Sequence, residues 1–150
     1  MIIRDAKTSD AEAISRIISY YAELDRMLFC SVSEVYERLQ LFQVAEEGCA
    51  VIGCCALQVV WSDLAEIKSL AVVKERTGTG VGRALVEAAI EKARQLGVRR
   101  VFTLTLEPGF FERVGFTRVD VDSLPMKVWS DCAKCPKQDN CDEKALVREL

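Results

Sequence analysis

Histidine is absent from this 150-residue sequence, and its absence excludes several kinds of catalytic site at once. A Ser-His-Asp triad, a histidine-ligated metal ion and a histidine general base all need an imidazole ring. Any acid-base or nucleophilic chemistry in this chain must therefore use other side chains.

The sequence also lacks a basic excess and a long apolar run. Its net charge is -3, and its lysines and arginines are scattered, so nothing favours binding to a phosphate backbone. No apolar run reaches the ~20 residues of a membrane span, and the N-terminus carries Arg4, Asp5, Lys7 and Asp10 where a signal peptide would be apolar. We expect a cytoplasmic protein without nucleic-acid or membrane partners.

Cysteine is present seven times, an odd number that cannot form a complete set of disulfides within one molecule. A reducing compartment suits this count better than an oxidising one. Half of the residues are hydrophobic, so a single domain of this length can bury a core without covalent staples.

The order of predicted elements indicates a mixed α+β fold. Capping boxes at Ser9–Glu12 and Ser31–Glu34 predict two N-terminal helices, and the residues that follow favour strands. The later elements are strands within 43–61 and over 64–73, a helix over 80–96 closed by Gly97, a strand over 100–106, a short helix over 108–114 and a strand over 116–121.

Residues 122–150 differ in composition, with two of the three prolines and three cysteines. We expect a core domain over 1–121 and a C-terminal extension of the same domain over 122–150. Its end, from Asp142, is predicted to form a short helix.

A glycine-rich segment between a strand and a helix carries the strongest functional pattern. Gly78, Gly80 and Gly82 permit a sharp turn and a close approach of the backbone, and the N-H groups at a helix start suit a pyrophosphate. The spacing matches neither the dinucleotide fingerprint nor a P-loop. The alternative is a tight turn without a ligand.

Glu66 is an acid inside an apolar strand, where loss of hydration must be compensated. Two alternatives to a catalytic role are an exposed strand end and an ion pair with Lys68, which alternation places on the same face.

The glycine-rich turn resembles the acetyl-CoA motif of the GNAT acetyltransferases, and the element order of residues 1–121 is similar to theirs. The resemblance implies a largely antiparallel mixed sheet, flanking helices and a splayed central strand, with acetyl-CoA as cosubstrate. Thr77 stands where the family usually has Gln or Arg. The implied cofactor-binding residues are Leu70, Ala71, Val72, Arg76, Thr77, Gly78, Thr79, Gly80, Val81, Gly82, Arg83 and Phe111.

The strand before the turn, Ala65–Val72, looks like strand 4 of GNAT enzymes that carry a catalytic glutamate. The resemblance implies that Glu66 is the general base and that the backbone N-H of Leu70 stabilises the oxyanion. Phe111 occupies the position of the tyrosine that acts as the general acid in many family members, and phenylalanine cannot donate a proton. We therefore assign no general acid, since a thiol with a pKa near ~8.5 is a fair leaving group.

The segment Leu124–Cys132 resembles the tail of short, stand-alone bacterial N-acetylglutamate synthase-like proteins. This likeness implies acetylation of an amino acid, most simply L-glutamate in arginine biosynthesis. The alternatives are another small amine or amino acid, or a non-catalytic acetyl-CoA-binding or redox-sensing module. The implied substrate-binding residues are Lys68, Lys127, Cys30 and Ser31.

Similar proteins carry an arginine where this chain has Cys30. Lys68, Lys127 and Arg26 are the cations that could replace it beside a substrate carboxylate.

Cys132, Cys135 and Cys141 form a C-x2-C-x5-C pattern that could hold zinc or an iron-sulfur cluster. Free thiols or a local disulfide explain the same pattern. GNAT domains often dimerise, so the resemblance is also compatible with a homodimer.

Overall fold

The computed structural model describes residues 1–124 and 143–150, which form one sheet with helices on both faces. The strands are β1 (Ile2–Asp5), β2 (Phe42–Glu47), β3 (Ala50–Trp61), β4 (Leu64–Val72), β5 (Arg100–Thr105), β6 (Thr117–Val119) and β7 (Lys144–Glu149). The helices are α1 (Ala11–Glu23), α2 (Val32–Glu37), α3 (Val81–Gln95) and α4 (Pro108–Arg113).

The seven strands lie in the order β1-β2-β3-β4-β5-β7-β6. Neighbouring strands are antiparallel except β4 and β5, which run parallel and are joined through α3. The predicted α+β class with a largely antiparallel sheet is therefore confirmed.

Helices cover both faces of the sheet. On one face, α3 buries Leu85, Val86 and Ile90 against Ala65 and Ile67 of β4. On the other face, the apolar side of α1 packs with α2 and with residues of β2 and β3. The central strands are thus enclosed, as expected for a sheet that contains a parallel pair.

The helix predicted at the C-terminus is wrong, because residues 144–149 form β7 between β5 and β6. Leu146 packs on the α3 face, whereas Ala145 and Val147 pack on the opposite face. A strand buried on both faces has a continuous apolar sequence, and such a run does not show the alternation that distinguishes a strand from a helix.

The first capping box is also wrong, whereas the second is confirmed. The Ser31 hydroxyl accepts a hydrogen bond from the Glu34 N-H (3.2 Å), and α2 follows as predicted. The N-cap residue of α1 is Asp10 and not Ser9. The Asp10 carboxylate accepts two hydrogen bonds from Arg4 (2.8 and 3.0 Å) and one from the Lys7 N-H (2.7 Å).

We expect Asp10→Asn to lower the free energy of unfolding by about 1–3 kcal/mol at pH 7, because a bidentate ion pair between β1 and α1 is lost. The Arg4 guanidinium holds the pKa of Asp10 below its usual range. A lowered pKa gives stability above the unfolded value of about 3.9, and this stability disappears as the pH falls through the folded value.

Urea unfolding of both proteins from pH 7 down to pH 3 measures this effect. The difference between wild type and Asp10→Asn should shrink at the acidic end. Asp5→Asn is the matched control, because the Asp5 side chain is 78% exposed and should change stability by less than about 0.5 kcal/mol. Equal stability of Asp10→Asn and wild type at pH 7 would contradict this role.

Candidate active site

The cleft begins where β4 and β5 separate. The two strands pair over only three residues, Leu64–Glu66 with Arg100–Phe102. At the point of separation, the Thr103 hydroxyl donates a hydrogen bond to the Ile67 carbonyl (3.0 Å). Beyond it, β5 continues its pairing with β7, so this edge of β4 faces an opening. The predicted splayed strand is confirmed.

A β-bulge in β4 sets the direction of the residues along this opening. Lys68 to Ala71 of β4 span the same register as Cys54 to Ala56 of β3, which leaves one additional residue in β4. Ser69 has a left-handed backbone (φ +54°) at this point, and the Cys54 thiol donates to its carbonyl (3.4 Å). Ala65 and Ile67 face α3 before the bulge, and Leu70 and Val72 do so after it.

The resulting cleft has a volume of about 440 Å³. It lies between the second half of β4, the glycine-rich turn, the end of β5 and the start of α4. The predicted cofactor residues that line it are Leu70, Ala71, Val72, Arg76, Thr77, Gly78, Gly80, Gly82, Arg83 and Phe111. Thr79 and Val81 do not line it.

The glycine-rich turn presents the start of α3 to this cleft. Gly78 and Gly80 have left-handed backbones (φ +76° and +91°), and Gly80 is the N-cap of the helix. A Cβ atom on Gly80 would meet no atom within 4 Å, so backbone conformation and not crowding favours glycine there. The first turn of α3 contains no acidic residue, which leaves its N-terminus electropositive.

Two arginines flank the turn. Both line the cleft; Arg76 also forms an ion pair with Glu47, and Arg83 lies in the first turn of α3. Both positions could support phosphate groups at the helix start.

Glu66 lies on β4 directly before the first cleft-lining residue of that strand, opposite Gln58 of β3 and Phe102 of β5. Its side chain is only 8% exposed, which excludes the alternative of an exposed strand end. Glu66 itself does not line the cleft, but the next two residues, Ile67 and Lys68, do. A carboxyl group buried beside a cleft is typical of acid-base sites.

The predicted acceptor residues are only partly brought together. Lys68 lines the cleft and takes part in none of the ion pairs found among residues 1–124 and 143–150. Cys30 is buried in the core beside α1, where burial raises the pKa of its thiol. Ser31 caps α2, and neither of these two residues lines the cleft. Lys127 lies outside the described residues.

The predicted metal ligands Cys132, Cys135 and Cys141 also lie outside the described residues. Within the described part of the chain, no three His, Cys, Asp or Glu side chains are grouped closely enough to hold a metal ion. The zinc or iron-sulfur prediction thus gains no support. The helices of that same part are too short or too polar to cross a bilayer.

Tyr21 reaches the cleft, although its helical spacing from Ile14, Ile17 and Ile18 predicts a position on the apolar face of α1. Its hydroxyl donates a hydrogen bond to the Val72 carbonyl (2.5 Å), and burial raises its pKa. The Arg26 guanidinium lies over its ring, 5.8 Å from the centroid. Arg26 in turn forms an ion pair with Glu107, which precedes α4. No local sequence pattern connects residues so far apart in the chain.

Comparisons with known proteins agree with this geometry. The profile of the Acetyltransferase (GNAT) family matches residues 8–116. An uncharacterised N-acetyltransferase of Chlorobaculum tepidum is 45% identical over 148 residues, which cover 99% of this chain and 96% of the relative. An amino-acid acetyltransferase of Mycobacterium tuberculosis is 39% identical over 136 residues, which cover 89% of this chain and 78% of the relative.

A solved structure is similar to nearly the whole chain. It is N-acetylglutamate synthase from Neisseria gonorrhoeae complexed with coenzyme A and N-acetyl-glutamate, with a TM-score of 0.91 and 28% identity. The match covers 99% of this chain but 35% of that longer protein.

Proposed function

Because this chain belongs to the GNAT family and is an acetyl-CoA-dependent acetyltransferase, we propose that it acetylates the α-amino group of an amino acid, with L-glutamate as the preferred acceptor. The observation that carries the proposal is the separation of β4 from β5 directly after the buried Glu66. It supports a role in which β4 provides the Glu66 carboxylate as the base. Further along the same strand, backbone groups that are not paired with β5 can bind the acetyl donor.

In the proposed complex, the pyrophosphate of acetyl-CoA contacts the turn from Gly78 to Gly82 and the first N-H groups of α3. The left-handed glycines and the absence of acidic residues in that helix turn support this role. The pantetheine arm runs along Leu70–Val72, whose edge is not paired with β5. The thioester then points towards the point where the strands separate.

The proposed reaction begins with an ammonium group, which has no lone pair for attack. Glu66 removes one proton, directly or through a water molecule, and the free amine attacks the thioester carbonyl. As the C-N bond forms, the backbone N-H of Leu70 stabilises the negative charge on the oxygen. When the intermediate collapses, the nitrogen releases its second proton to water and the C-S bond breaks. CoA leaves as a thiolate, because Phe111 has no proton to give.

The choice of an amino-acid acceptor is supported by the relatives and by the charge in the cleft. The Mycobacterium tuberculosis relative is an amino-acid acetyltransferase, and the Neisseria structure holds N-acetyl-glutamate. Lys68 supplies a cation two residues from the proposed base, where the acceptor's α-carboxylate would lie. We therefore propose a role in arginine biosynthesis, with Lys127 as a second cation.

The three buried cysteines among the described residues, Cys30, Cys54 and Cys55, give little support to the alternative of a redox-sensing module, whereas Cys49 is exposed. Burial raises the pKa of Cys55 to about 12 and that of Cys54 further. A thiol that resists ionisation reacts slowly with oxidants, since the thiolate is the reactive form.

A comparison of acceptor classes tests the proposal. We expect L-glutamate to be acetylated faster than spermidine or a lysine-containing peptide, because only the free amino acid has a carboxylate next to the reacting amine, where Lys68 can contact it. Steady-state kcat/KM for each acceptor, with acetyl-CoA in excess, measures the difference. If amines without a carboxylate react best, the amino-acid assignment is overturned while the acetyltransferase activity stands.

A further inference from the structure

Arg26 and Glu107 form an ion pair between two separate walls of the cleft. Arg26 follows α1, and Glu107 precedes α4 after the end of β5; both line the cleft. Their side chains are 48% and 59% exposed. An ion pair so exposed to water contributes about 0–1 kcal/mol to stability, so the fold does not depend on it. Arg26 can therefore exchange Glu107 for another carboxylate with little loss of stability.

The position of Arg26 is set by the residues beneath it. Its guanidinium lies over the ring of Tyr21, and the Tyr21 hydroxyl donates to the Val72 carbonyl on the edge of β4. The cation is thus held near the strand that, under the proposed function, contacts the pantetheine arm. A planar guanidinium at a fixed place can accept a carboxylate with two parallel hydrogen bonds.

Among the described residues, four other cations line the cleft: Arg113 lies at the end of α4, and the other three are placed for other tasks. Arg76 and Arg83 flank the glycine-rich turn, and Arg76 is paired with Glu47. Lys68 lies beside Glu66 on β4, close to the reacting amine of the proposed acceptor. A dicarboxylic amino acid needs a second cation several ångströms away from its α-carboxylate, and Arg26 offers one.

We propose that Arg26 selects acceptors with a side-chain carboxylate and that Glu107 holds its guanidinium until such a carboxylate replaces it. The proposal rests on the proposed function, since it specifies the class of amino acid that enters the same cleft. Glu107 acts here as an internal competitor for the acceptor, and this competition gives the two residues opposite effects on acceptor binding.

Kinetics with L-glutamate and L-glutamine as acceptors test the exchange. We expect Arg26→Gln to raise KM for glutamate by about tenfold or more, because a charge-assisted pair is lost. Glu107→Gln should lower it about two- to fivefold, because the competing carboxylate is gone. KM for glutamine and for acetyl-CoA should change little. The double variant should behave as Arg26→Gln does.

Both substitutions are expected to leave the fold intact. The Glu107 side chain makes no capping hydrogen bond to α4. The hydrogen bond to the Thr105 hydroxyl is donated by the backbone N-H of residue 107, so it does not depend on the Glu107 side chain. Arg26→Lys is a second variant that keeps the charge but not the planar fork, and we expect an intermediate KM for glutamate.

Three results would overturn the proposal, and each has a different meaning. If Arg26→Gln and Glu107→Gln raise KM together, for both acceptors or for acetyl-CoA, the pair is a strap that closes the cleft. If wild type acetylates no amino acid, the proposed function fails and the selection role fails with it. Unchanged kinetics in the two variants, with an active wild type, would reject the selection role alone.

Discussion

The Glu66→Gln variant should lose about 10²–10⁴-fold in turnover at pH 7, since positioned acid-base groups contribute on this order. The substitution keeps the size of the side chain and removes only its ability to take a proton. Glu66 is buried on β4 between β3 and β5, so no solvent-exposed carboxylate easily replaces it.

The loss should diminish as the pH rises, because a growing fraction of the amine is already deprotonated in solution. Turnover of wild type and variant between pH 7 and pH 10 measures this recovery. Glu91→Gln is a matched control, because Glu91 is an exposed residue of α3 paired only locally with Arg94. Wild-type turnover of Glu66→Gln at pH 7 would reject Glu66 as the base.

A second large effect is expected at the glycine-rich turn. Asp and Asn both tolerate the left-handed backbone that Gly80 adopts, and the added Cβ would meet no atom within 4 Å. Gly80→Asp and Gly80→Asn should therefore both fold. Only Gly80→Asp places a negative charge at the N-terminus of α3, where the pyrophosphate is proposed to bind.

We expect Gly80→Asp to weaken CoA binding at least about tenfold more than Gly80→Asn, because juxtaposed like charges cost several kcal/mol. Titration calorimetry with CoA compares the two variants without any need for turnover. Equal affinities in two folded variants would place the pyrophosphate elsewhere.

Several parts of the fold that follow from local sequence were predicted correctly, although the capping box at Ser9 was not. The helix start after Gly80, the left-handed Gly97 at the end of α3 and the capping box at Ser31 are all decided by neighbouring residues. The splayed strand came from the family resemblance of the turn and of β4. The C-terminal strand β7 was mistaken for a helix because its burial on both faces removes the alternation of a strand.

The site was predictable to the extent that it lies in one continuous segment. Most of the predicted cofactor residues line the cleft because β4, the turn and the start of α3 follow one another in the chain. The contacts of Tyr21, Arg26 and Glu107 join α1, β4 and the start of α4, and only the three-dimensional fold brings them together. The bulge at Ser69 was missed as well, since serine gives no sequence signal for a left-handed backbone.

The central claim is that this cleft transfers an acetyl group to the α-nitrogen of an amino acid. Mass spectrometry of reactions with isotopically labelled acetyl-CoA and each of the twenty amino acids tests it most directly. The predicted result is labelled N-acetyl-L-glutamate as the dominant product, with far less formed by Glu66→Gln. Consumption of acetyl-CoA without a labelled amino acid from any of the twenty would contradict the claim.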